Sequence, residues 1–174
     1  MVAFFPNKAV NMKIIAIIPS HLDSKRFPRK ILYPIHGLPM VEHVRRRAMM
    51  SKLIDDVFVA TCDQEILETV THCGGKVIIT SNRHLNGTSR VAEAIASIEC
   101  THVMLLQGDE PLLIPRHIDE IVAKVTEKPF VKLWNATADL QSPDDLKRNS
   151  FVKCTLSVSG RILHCFRNSP YTSP

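Results

Sequence analysis

Short apolar runs alternate with longer amphipathic segments along most of the chain. Four runs have the length of strands and are largely aliphatic, with many β-branched residues: Ile14–Ile18, Val57–Ala60, Val77–Ile79 and Val103–Leu106. A run that is apolar at every position is typical of a strand buried on both faces of a sheet. The pattern therefore predicts four strands. Two later runs, Phe151–Val158 and Ile162–Phe166, predict further strands.

The segments between these runs carry helix signals. Pro39 stands where a first turn tolerates proline, Asp63 is a candidate cap, and Gly74 follows a periodic segment as a C-terminal glycine does. The predicted helices cover Met40–Met50, Gln64–His72, Thr88–Ile98 and Pro115–Thr126. Strands that alternate with such helices form parallel sheets covered on both faces, so we predict an α/β fold.

Length and composition limit the domain organisation and the location. The 174 residues can bury a core, and 45% hydrophobic with 22% charged residues is ordinary for a globular domain. We predict an N-terminal tail over residues 1–11 and one domain over residues 12–174, with Met12 as an alternative start and Gln141–Asn149 as a late connecting segment. No secretory pattern or membrane-length apolar run is found, so we expect a cytoplasmic protein without a membrane partner.

Charge and cysteine content narrow the chemistry only slightly. The formal net charge of +5 suits a phosphate-rich ligand, although many proteins are equally basic. Nucleic acid is not expected as a partner because no aromatic platform accompanies the basic residues. We interpret Arg45–Arg47 as a solvated helix face.

The odd number of cysteines and the lack of C-x-x-C spacing predict reduced, buried thiols at Cys62, Cys73, Cys100, Cys154 and Cys165.

Three polar loops follow predicted strands, at the edge where open parallel sheets bind ligands. The loop Pro19–Lys30 concentrates lysines, arginines and serines, which suits a triphosphate, although a solvated basic loop has the same composition. The loop Gln107–Pro111 puts carboxylates at a strand end, where they either hold Mg²⁺ or form an acidic turn. In the loop Thr80–Thr88, polar residues near the helix start are either caps or part of a base-binding surface.

Several ordered stretches carry sequence signatures. The pattern I-P-A-R-x-x-S-x-R-[LF]-P-x-K is matched at Ile18, Pro19, Ser24, Arg26, Phe27, Pro28 and Lys30. The pattern H-x-S-G-T-x-R-x-A-E corresponds to His84, Gly87, Thr88, Arg90, Ala92 and Glu93, and Q-G-D-E-P is complete at Gln107–Pro111. Shorter matches are G-x-P-M from Gly37 and N-x-x-V-K from Asn149. Together and in this order they resemble the 3-deoxy-manno-octulosonate (Kdo) cytidylyltransferases, within the sugar-acid cytidylyltransferases.

The resemblance implies a Rossmann-like α/β fold and a specific reaction. CMP would pass from CTP to the anomeric hydroxyl of Kdo or a related 2-keto-3-deoxy sugar acid, with release of pyrophosphate, in lipopolysaccharide or cell-surface glycan synthesis. The implied catalytic residues are Arg26, Lys30 and Asp109, with Asp109 holding Mg²⁺. The implied CTP site comprises Pro19, His21, Ser24, Arg26, Lys30, Ser81, His84, Gly87, Thr88 and Gln107. A homodimer is also implied.

The chain departs from the family pattern at two signature positions and in length. His21 stands where the family has arginine, and Asn86 where it has serine. An imidazole is a shorter and only partly charged phosphate ligand near neutral pH. The family continues beyond Pro174 with a second metal-binding carboxylate, much of the sugar-acid pocket and part of the dimer contact. Two alternatives stay open: a nucleotidyltransferase for another sugar, and a nucleotide-binding domain without turnover.

Overall fold

A parallel sheet flanked by helices organises the larger part of the structure. The structure is a computed structural model that describes residues 12–24 and 27–169. In chain order its elements are β1 (Ile14–Pro19), β2 (Pro34–Ile35), β3 (Leu38–Pro39), α1 (Met40–Ala48), β4 (Asp56–Thr61), α2 (Gln64–His72), β5 (Lys76–Ile79), α3 (Gly87–Ile95), β6 (His102–Leu105), α4 (Pro115–Glu127), β7 (Lys153–Leu156) and β8 (Ile162–Phe166). Short 3₁₀ helices lie at Lys30–Leu32 and Pro143–Lys147.

The four predicted strands form one parallel sheet, in the order β5-β4-β1-β6. β1 pairs with β4 on one side and with β6 on the other, so Ile17 lies opposite both Phe58 and Leu105. The strand order reverses between β1 and β6, because the chain builds outward from β1 to β5 and then returns to the other side. The predicted mostly parallel, Rossmann-like α/β sheet is therefore confirmed.

Helices cover both faces of this sheet, as predicted. Ile15 and Ile17 point to one face, where they pack with Val91 and Ala94 of α3. The alternate β1 residues Ala16 and Ile18 point to the other face and pack with apolar residues of α1, α2 and α4. Because successive side chains of a strand point to opposite faces, a strand buried on both faces must be apolar throughout.

Local hydrogen bonds define the start of α3 and the end of α2. Asn86 caps α3, since its Oδ1 accepts a hydrogen bond from the Ser89 N–H at 2.9 Å. α2 ends in a Schellman turn, in which the Gly74 N–H donates to the Thr71 carbonyl and the Gly75 N–H to the Val70 carbonyl. Gly74 has φ of +74°, a conformation that glycine adopts without strain.

Two predicted helices are shorter than expected at their C-terminal ends. α1 ends at Ala48 rather than Met50, and α3 ends at Ile95 rather than Ile98. In each case the next residues continue as a tighter turn, with Ser51 bonded to Ala48 and Ile98 bonded to Ile95 through i to i+3 backbone hydrogen bonds. Apolar periodicity continues through such turns, which is why the sequence overestimates the helix length.

The prediction of a solvated Arg45–Arg47 face is wrong for two of the three residues. Arg45 is buried, and its guanidinium makes two 2.7 Å contacts with the fully buried Glu42 carboxylate and one of 3.1 Å with the Cys73 carbonyl. The hydrogen bond to Glu42 raises the pKa of Arg45 above its ordinary value, while burial acts in the opposite direction. Arg47 donates to the Leu113 carbonyl at 3.2 Å, and Arg46 is exposed.

The chain divides into two compact units. The described residues up to Lys132 form the N-terminal unit, and those from Leu133 form the C-terminal unit. The division falls between residues 128 and 141, which contain no helix or strand. The expected connecting segment Gln141–Asn149 instead contains a 3₁₀ helix, closed by a capping box between Ser142 and Asp145.

The C-terminal unit contains an antiparallel pair, β7 and β8. β8 matches its predicted bounds, whereas β7 is shorter than the predicted Phe151–Val158. The register is irregular between Thr155 and Leu156, which limits regular pairing there. Two buried residues belong to this unit, Asp145 and Lys153.

The cysteines were expected to be reduced and buried. All five cysteines are free, as expected, but the expectation that they are buried is wrong. Cys165 is exposed and the other four are half-buried, and none of the five is among the buried residues of the two apolar core clusters.

Among the described residues, no helix combines the length and the apolar character that crossing a membrane requires.

Candidate functional site

A cavity of about 290 Å³ opens at the carboxyl edge of the parallel sheet. It lies where the strand order reverses, between the loops that follow β1 and β6. This reversal leaves a crevice outside the strand ends, which is where open α/β sheets bind ligands. The lining residues are Pro19, His21, Asp23, Ser24, Lys30, Ile31, Gln107 and Asp109.

Most residues proposed for the phosphate and metal end of the site meet in this cavity. Six lining residues carry roles in the sequence prediction: Pro19, His21, Ser24, Lys30, Gln107 and Asp109. Asp23 and Ile31 also line it and were not predicted. Asp23 occupies a variable position of the opening signature, and Ile31 is a buried apolar residue. Nothing in the sequence therefore marked either residue as part of a binding site.

An ion pair joins the cationic loop to the acidic loop. The Lys30 ammonium contacts Asp109 Oδ2, although 79 positions separate the two residues. Lys30 begins the short 3₁₀ helix, and the preceding Arg29 adopts φ of +59° and pairs with Glu65 of α2. Both partners of the Lys30–Asp109 pair are partly exposed, at 24% and 36%, so a ligand in the cavity has access to them.

The loop after β1 is anchored through the backbone of Leu22. Its N–H donates to Asp63 Oδ2 at 2.9 Å, and its carbonyl accepts hydrogen bonds from the N–H groups of Ser24 and Arg29, both at 3.0 Å. These bonds draw the loop into a compact turn over the cavity. Asp63 was expected to cap α2, but its side chain makes no capping bond and serves the loop instead. The sequence could not reveal this because Asp63 lies 41 positions from Leu22.

Gly108 allows the acidic loop to approach the sheet closely. A Cβ at this position would lie 3.0 Å from Ser20 Oγ, 3.1 Å from Ile31 Cδ1 and 3.3 Å from Ile18 Cγ2. These distances are tighter than ordinary van der Waals contacts, so a larger residue would push the loop outward. The glycine of the Q-G-D-E-P stretch therefore sets the position of Asp109 beside Lys30.

The predicted loop Thr80–Thr88, which we call the third loop, packs beside the cavity without lining it. A Cβ on Gly87 would lie 2.9 Å from Pro19 Cγ, so the start of α3 rests directly against the end of β1. Thr88 is exposed in the first turn of α3. The four residues predicted here, Ser81, His84, Gly87 and Thr88, are not among the cavity-lining residues.

Glu93 organises this third loop. Its carboxylate accepts the Ser81 N–H at 3.0 and 3.2 Å and contacts His84 Nε2. The hydrogen bond with His84, followed by that with Ser81, lowers the pKa of Glu93 below its ordinary value. The buried Arg90 reinforces the loop by donating to Thr80 Oγ1 at 2.6 Å. Both Arg90 and Glu93 belong to the H-x-S-G-T-x-R-x-A-E match, and the structure assigns them to holding the loop.

The predicted catalytic Arg26 lies outside the described residues, as does Lys25. The described residues on either side, Ser24 and Phe27, belong to the same loop. The role of Arg26 therefore stays a prediction from the sequence.

Comparisons with known proteins agree with this arrangement. The profile of the cytidylyltransferase family matches residues 15–170, which include all three loops. The chain belongs to the cytidylyltransferase family. A 3-deoxy-manno-octulosonate cytidylyltransferase from Geobacter sulfurreducens is 39% identical over 159 residues, and one from Thermodesulfovibrio yellowstonii is 37% identical over 167 residues.

A solved structure extends the similarity to the fold. The chain matches the structure of CMP:2-keto-3-deoxy-manno-octonic acid synthetase complexed with CTP, with a TM-score of 0.81 and 30% identity. The match covers 91% of this chain and 66% of that chain. The chain likewise spans 63% of the length of the Geobacter relative and 65% of the Thermodesulfovibrio relative.

Proposed function

We propose that this chain binds CTP and transfers CMP to Kdo or a closely related 2-keto-3-deoxy sugar acid, releasing pyrophosphate. The observation that carries the proposal is the cavity in which Lys30 and Asp109 meet at the sheet edge. The family match and the names of the relatives supply the nucleotide and the sugar-acid class. The complete Q-G-D-E-P stretch favours this sugar-acid class over other sugars.

The loop after β1 is proposed to bind the triphosphate. Lys30 contributes an ammonium group with three N–H donors, of which the contact with Asp109 uses one. The remaining donors are proposed to bind phosphate together with the Ser24 hydroxyl and the imidazole of His21, since all three residues line the cavity. Arg26 is proposed to add a second permanent positive charge. Such fixed donors neutralise phosphate charge without reorganising during the reaction.

Asp109 is proposed to hold Mg²⁺ together with the nucleotide. The described residues contain no cluster of three or more His, Cys, Asp or Glu side chains that would bind a metal alone. This fits Mg²⁺, which keeps several waters and is typically bound by one or two carboxylates plus substrate phosphates. Asp109 provides such a carboxylate, and Asp23 is the other one that lines the cavity. When bound, the ion would help to neutralise the charge that develops on the leaving pyrophosphate.

The cytidine is proposed to lie toward the start of α3. Pro19 and Gln107 line the cavity on that side, and Gly87 packs on Pro19. The Ser81–Thr88 loop, including His84 and the free N–H groups in the first turn of α3, would contact the base and the ribose. The hydrogen bonds from the Ser81 N–H to Glu93 and from Arg90 to Thr80 keep this loop in place before the nucleotide binds.

Catalysis would then rest on position and charge. The anomeric hydroxyl oxygen forms a bond to the α-phosphorus, the bond from this phosphorus to the bridging oxygen breaks, and the hydroxyl proton passes to solvent. Lys30 and Arg26 stabilise the leaving pyrophosphate, and Ser24 donates to a phosphate oxygen. Reactions of this type depend mainly on alignment and electrostatic stabilisation, so no covalent enzyme intermediate is needed. We further propose that the active form is a homodimer in the cytoplasm.

The proposal is tested by calorimetric titration of the chain with CTP, UTP, ATP and GTP, each with and without Mg²⁺, followed by pyrophosphate release in the presence of Kdo. We expect selective, Mg²⁺-dependent binding of CTP and Kdo-dependent release of pyrophosphate. Binding of CTP without turnover would identify a nucleotide-binding domain instead. No binding to any of the four nucleotides would refute the proposal.

A matched pair of variants tests the phosphate end of the site. Lys30→Ala should weaken CTP binding more than cytidine binding, because the ammonium group acts on phosphate. Lys52→Ala is the control, since Lys52 is exposed and lies in the loop that precedes β4, at the opposite edge of the sheet. Equal losses of CTP and cytidine binding in Lys30→Ala would contradict a phosphate role.

A further inference from the structure

Two cysteines face each other across the antiparallel pair of the C-terminal unit. Cys154 of β7 is the direct register partner of Cys165 of β8. Directly opposite residues of an antiparallel pair point to the same face, with Cα atoms about 4.5 or about 5.5 Å apart. Both separations lie within the range of about 4.4–6.8 Å in which a disulfide forms without backbone movement.

Hydrogen bonds close the turn that joins β7 to β8. The Ser157 N–H donates to the Arg161 carbonyl at 2.8 Å, and the Gly160 N–H donates to the Ser157 carbonyl at 2.9 Å. Gly160 has φ of +80°, which the tight turn requires. A slip of one residue would place the two thiols on opposite faces, so a fixed register is what keeps them together.

The open end of the hairpin is also closed. The buried Lys153 ammonium donates to the Arg148 carbonyl at 2.8 Å and to the Arg167 carbonyl. The Arg167 guanidinium in turn donates to the carbonyls of Asn149 and Ser150, both at 3.1 Å. The cysteine pair therefore lies between two sets of hydrogen bonds that join the strands at both ends.

The two thiols are accessible from one cavity. Cys154 and Cys165 both line a cavity of about 410 Å³ within the C-terminal unit, and Cys165 is exposed. This volume falls within the range of small-molecule cavities, about 300–1,000 Å³. The other three cysteines, Cys62, Cys73 and Cys100, lie outside the strands and have no cross-strand partner.

We propose that Cys154 and Cys165 form a cross-strand disulfide by exchange with a low-molecular-weight disulfide such as glutathione disulfide. The Cys165 thiolate attacks one sulfur of the reagent, which forms a mixed disulfide and releases one glutathione thiolate. The Cys154 thiolate then attacks the Cys165 sulfur and releases the second glutathione thiolate. Two protein thiols are oxidised, the reagent is reduced to two thiols, and the protein protons pass to them. This site is independent of the proposed nucleotide chemistry.

The chain itself offers a direct assay. Trypsin cleaves after Lys153, Arg161 and Arg167, so Cys154 and Cys165 fall on separate peptides, 154–161 and 162–167. The full chain is incubated with mixtures of reduced and oxidised glutathione, alkylated with N-ethylmaleimide, digested and analysed by mass spectrometry. We expect the two peptides to remain joined, with a mass two hydrogen atoms below their sum and without alkylation. Cys62, Cys73 and Cys100 should be alkylated under the same conditions.

Serine variants separate a direct pair from other oxidation products. Cys154→Ser should leave Cys165 as a mixed disulfide with glutathione, because the resolving thiol is lost. Cys73→Ser is the matched control and should form the Cys154–Cys165 link as the unchanged chain does. The proposal is overturned if peptides 154–161 and 162–167 stay separately alkylated or glutathionylated in the unchanged chain while other thiols oxidise. It is equally overturned if these cysteines link only to a second chain.

Discussion

The two compact units differ in whether a hydrophobic core accompanies their buried polar groups. The N-terminal unit encloses aliphatic residues such as Ile15, Ile17 and Val59, packed between a parallel sheet and its helices. In the C-terminal unit the buried residues are Asp145 and Lys153, whereas apolar residues such as Val158 and Leu163 are exposed. Hydrophobic burial thus organises the first unit, and hydrogen bonds to backbone carbonyls and N–H groups organise the second.

This difference predicts different responses to mutation. Apolar packing is spread over many contacts, so its loss is graded. A buried polar group depends on a few partners, and removal of one partner leaves the other desolvated without compensation. Four features make the comparison testable: the buried ion pair of the N-terminal unit, its proposed ligand cavity, the buried lysine of the C-terminal unit and the His84–Glu93 pair.

The largest effect is expected for Arg45→Ala. This change leaves the Glu42 carboxylate fully buried without its guanidinium partner. Breaking a buried pair in this way costs about 3–5 kcal/mol of unfolding free energy. Urea denaturation followed by circular dichroism, with the mid-point and slope both fitted, measures the loss.

Arg46→Ala is the matched control for this prediction. Arg46 also contacts Glu42, at 3.4 Å, but its side chain is 55% exposed. An exposed pair of this kind contributes roughly 0–1 kcal/mol. Equal losses in the two variants would show that burial of the Arg45–Glu42 pair is not what stabilises the N-terminal unit.

The next largest effect is expected for Asp109→Ala in the ligand cavity. Loss of the carboxylate should remove the Mg²⁺-dependent part of CTP binding, an effect on the order of 100-fold, or about 2.7 kcal/mol. Calorimetric titration with CTP, with and without Mg²⁺, measures it. Glu110→Ala is the control, since this neighbouring carboxylate is exposed and does not line the cavity.

Hydrogen exchange shows whether this effect belongs to the site alone. Asp109→Ala should leave amide protection in β7 and β8 unchanged, because the cavity is built entirely from the N-terminal unit. Mg²⁺-dependent CTP binding that is undiminished in Asp109→Ala would remove this residue from the proposed metal site.

A third prediction concerns Lys153→Met in the C-terminal unit. Methionine keeps the length of the side chain but cannot donate to the carbonyls of Arg148 and Arg167. Hydrogen bonds from charged groups contribute about 1.5–3 kcal/mol each, and part of this is recovered by apolar contacts, so we expect a loss of about 2 kcal/mol. Hydrogen exchange should increase in β7 and β8 while β1 and β4 keep their protection.

Lys147→Met provides the comparison, because Lys147 is exposed and pairs with the exposed Asp144. Faster exchange throughout both units in Lys153→Met would mean that the hydrogen bonds of the C-terminal unit stabilise the whole chain. That result would remove the distinction drawn between the two units.

The same distinction explains how much could be predicted from the sequence. The inner strands were predicted because a strand buried on both faces is apolar at every position, as β1 is. The rule that parallel strands end at one edge predicted that the loops carrying Lys30 and Asp109 lie together, and the contact between these two residues is found there. Both inferences use features that lie within short continuous stretches of the sequence, namely the apolar run of a strand and the polar loop that follows it.

Contacts that depend on tertiary packing could not be predicted in this way. Arg45, Arg46 and Arg47 are adjacent in the sequence, yet a helix turns by about 100° per residue and places them in different surroundings. The bond from Leu22 to Asp63 joins residues whose proximity depends on the β1–β4 pairing. The pairing of Cys154 with Cys165 depends on a register that includes an irregularity after Thr155.

The smallest effect is expected for the pair of half-buried His84 and exposed Glu93, and it depends on pH. Hydrogen bonds from His84 and the Ser81 N–H lower the pKa of Glu93 below its ordinary value of 4.5. Because the folded-state pKa is the lower one, Glu93 adds stability above about pH 4.5 and loses it as the pH falls through the folded-state pKa. Melting temperatures measured from about pH 6 to about pH 3 should therefore fall less steeply in Glu93→Gln than in the unchanged chain.

Glu99→Gln isolates this effect from the general loss of negative charge, since Glu99 is exposed in the loop after α3. Its melting temperatures should follow the pH dependence of the unchanged chain more closely than those of Glu93→Gln do. Identical curves for the two variants would mean that the hydrogen bonds to Glu93 do not stabilise the third loop. In that case Arg90, which is buried and bonded to Thr80, would be the residue that holds this loop beside Pro19.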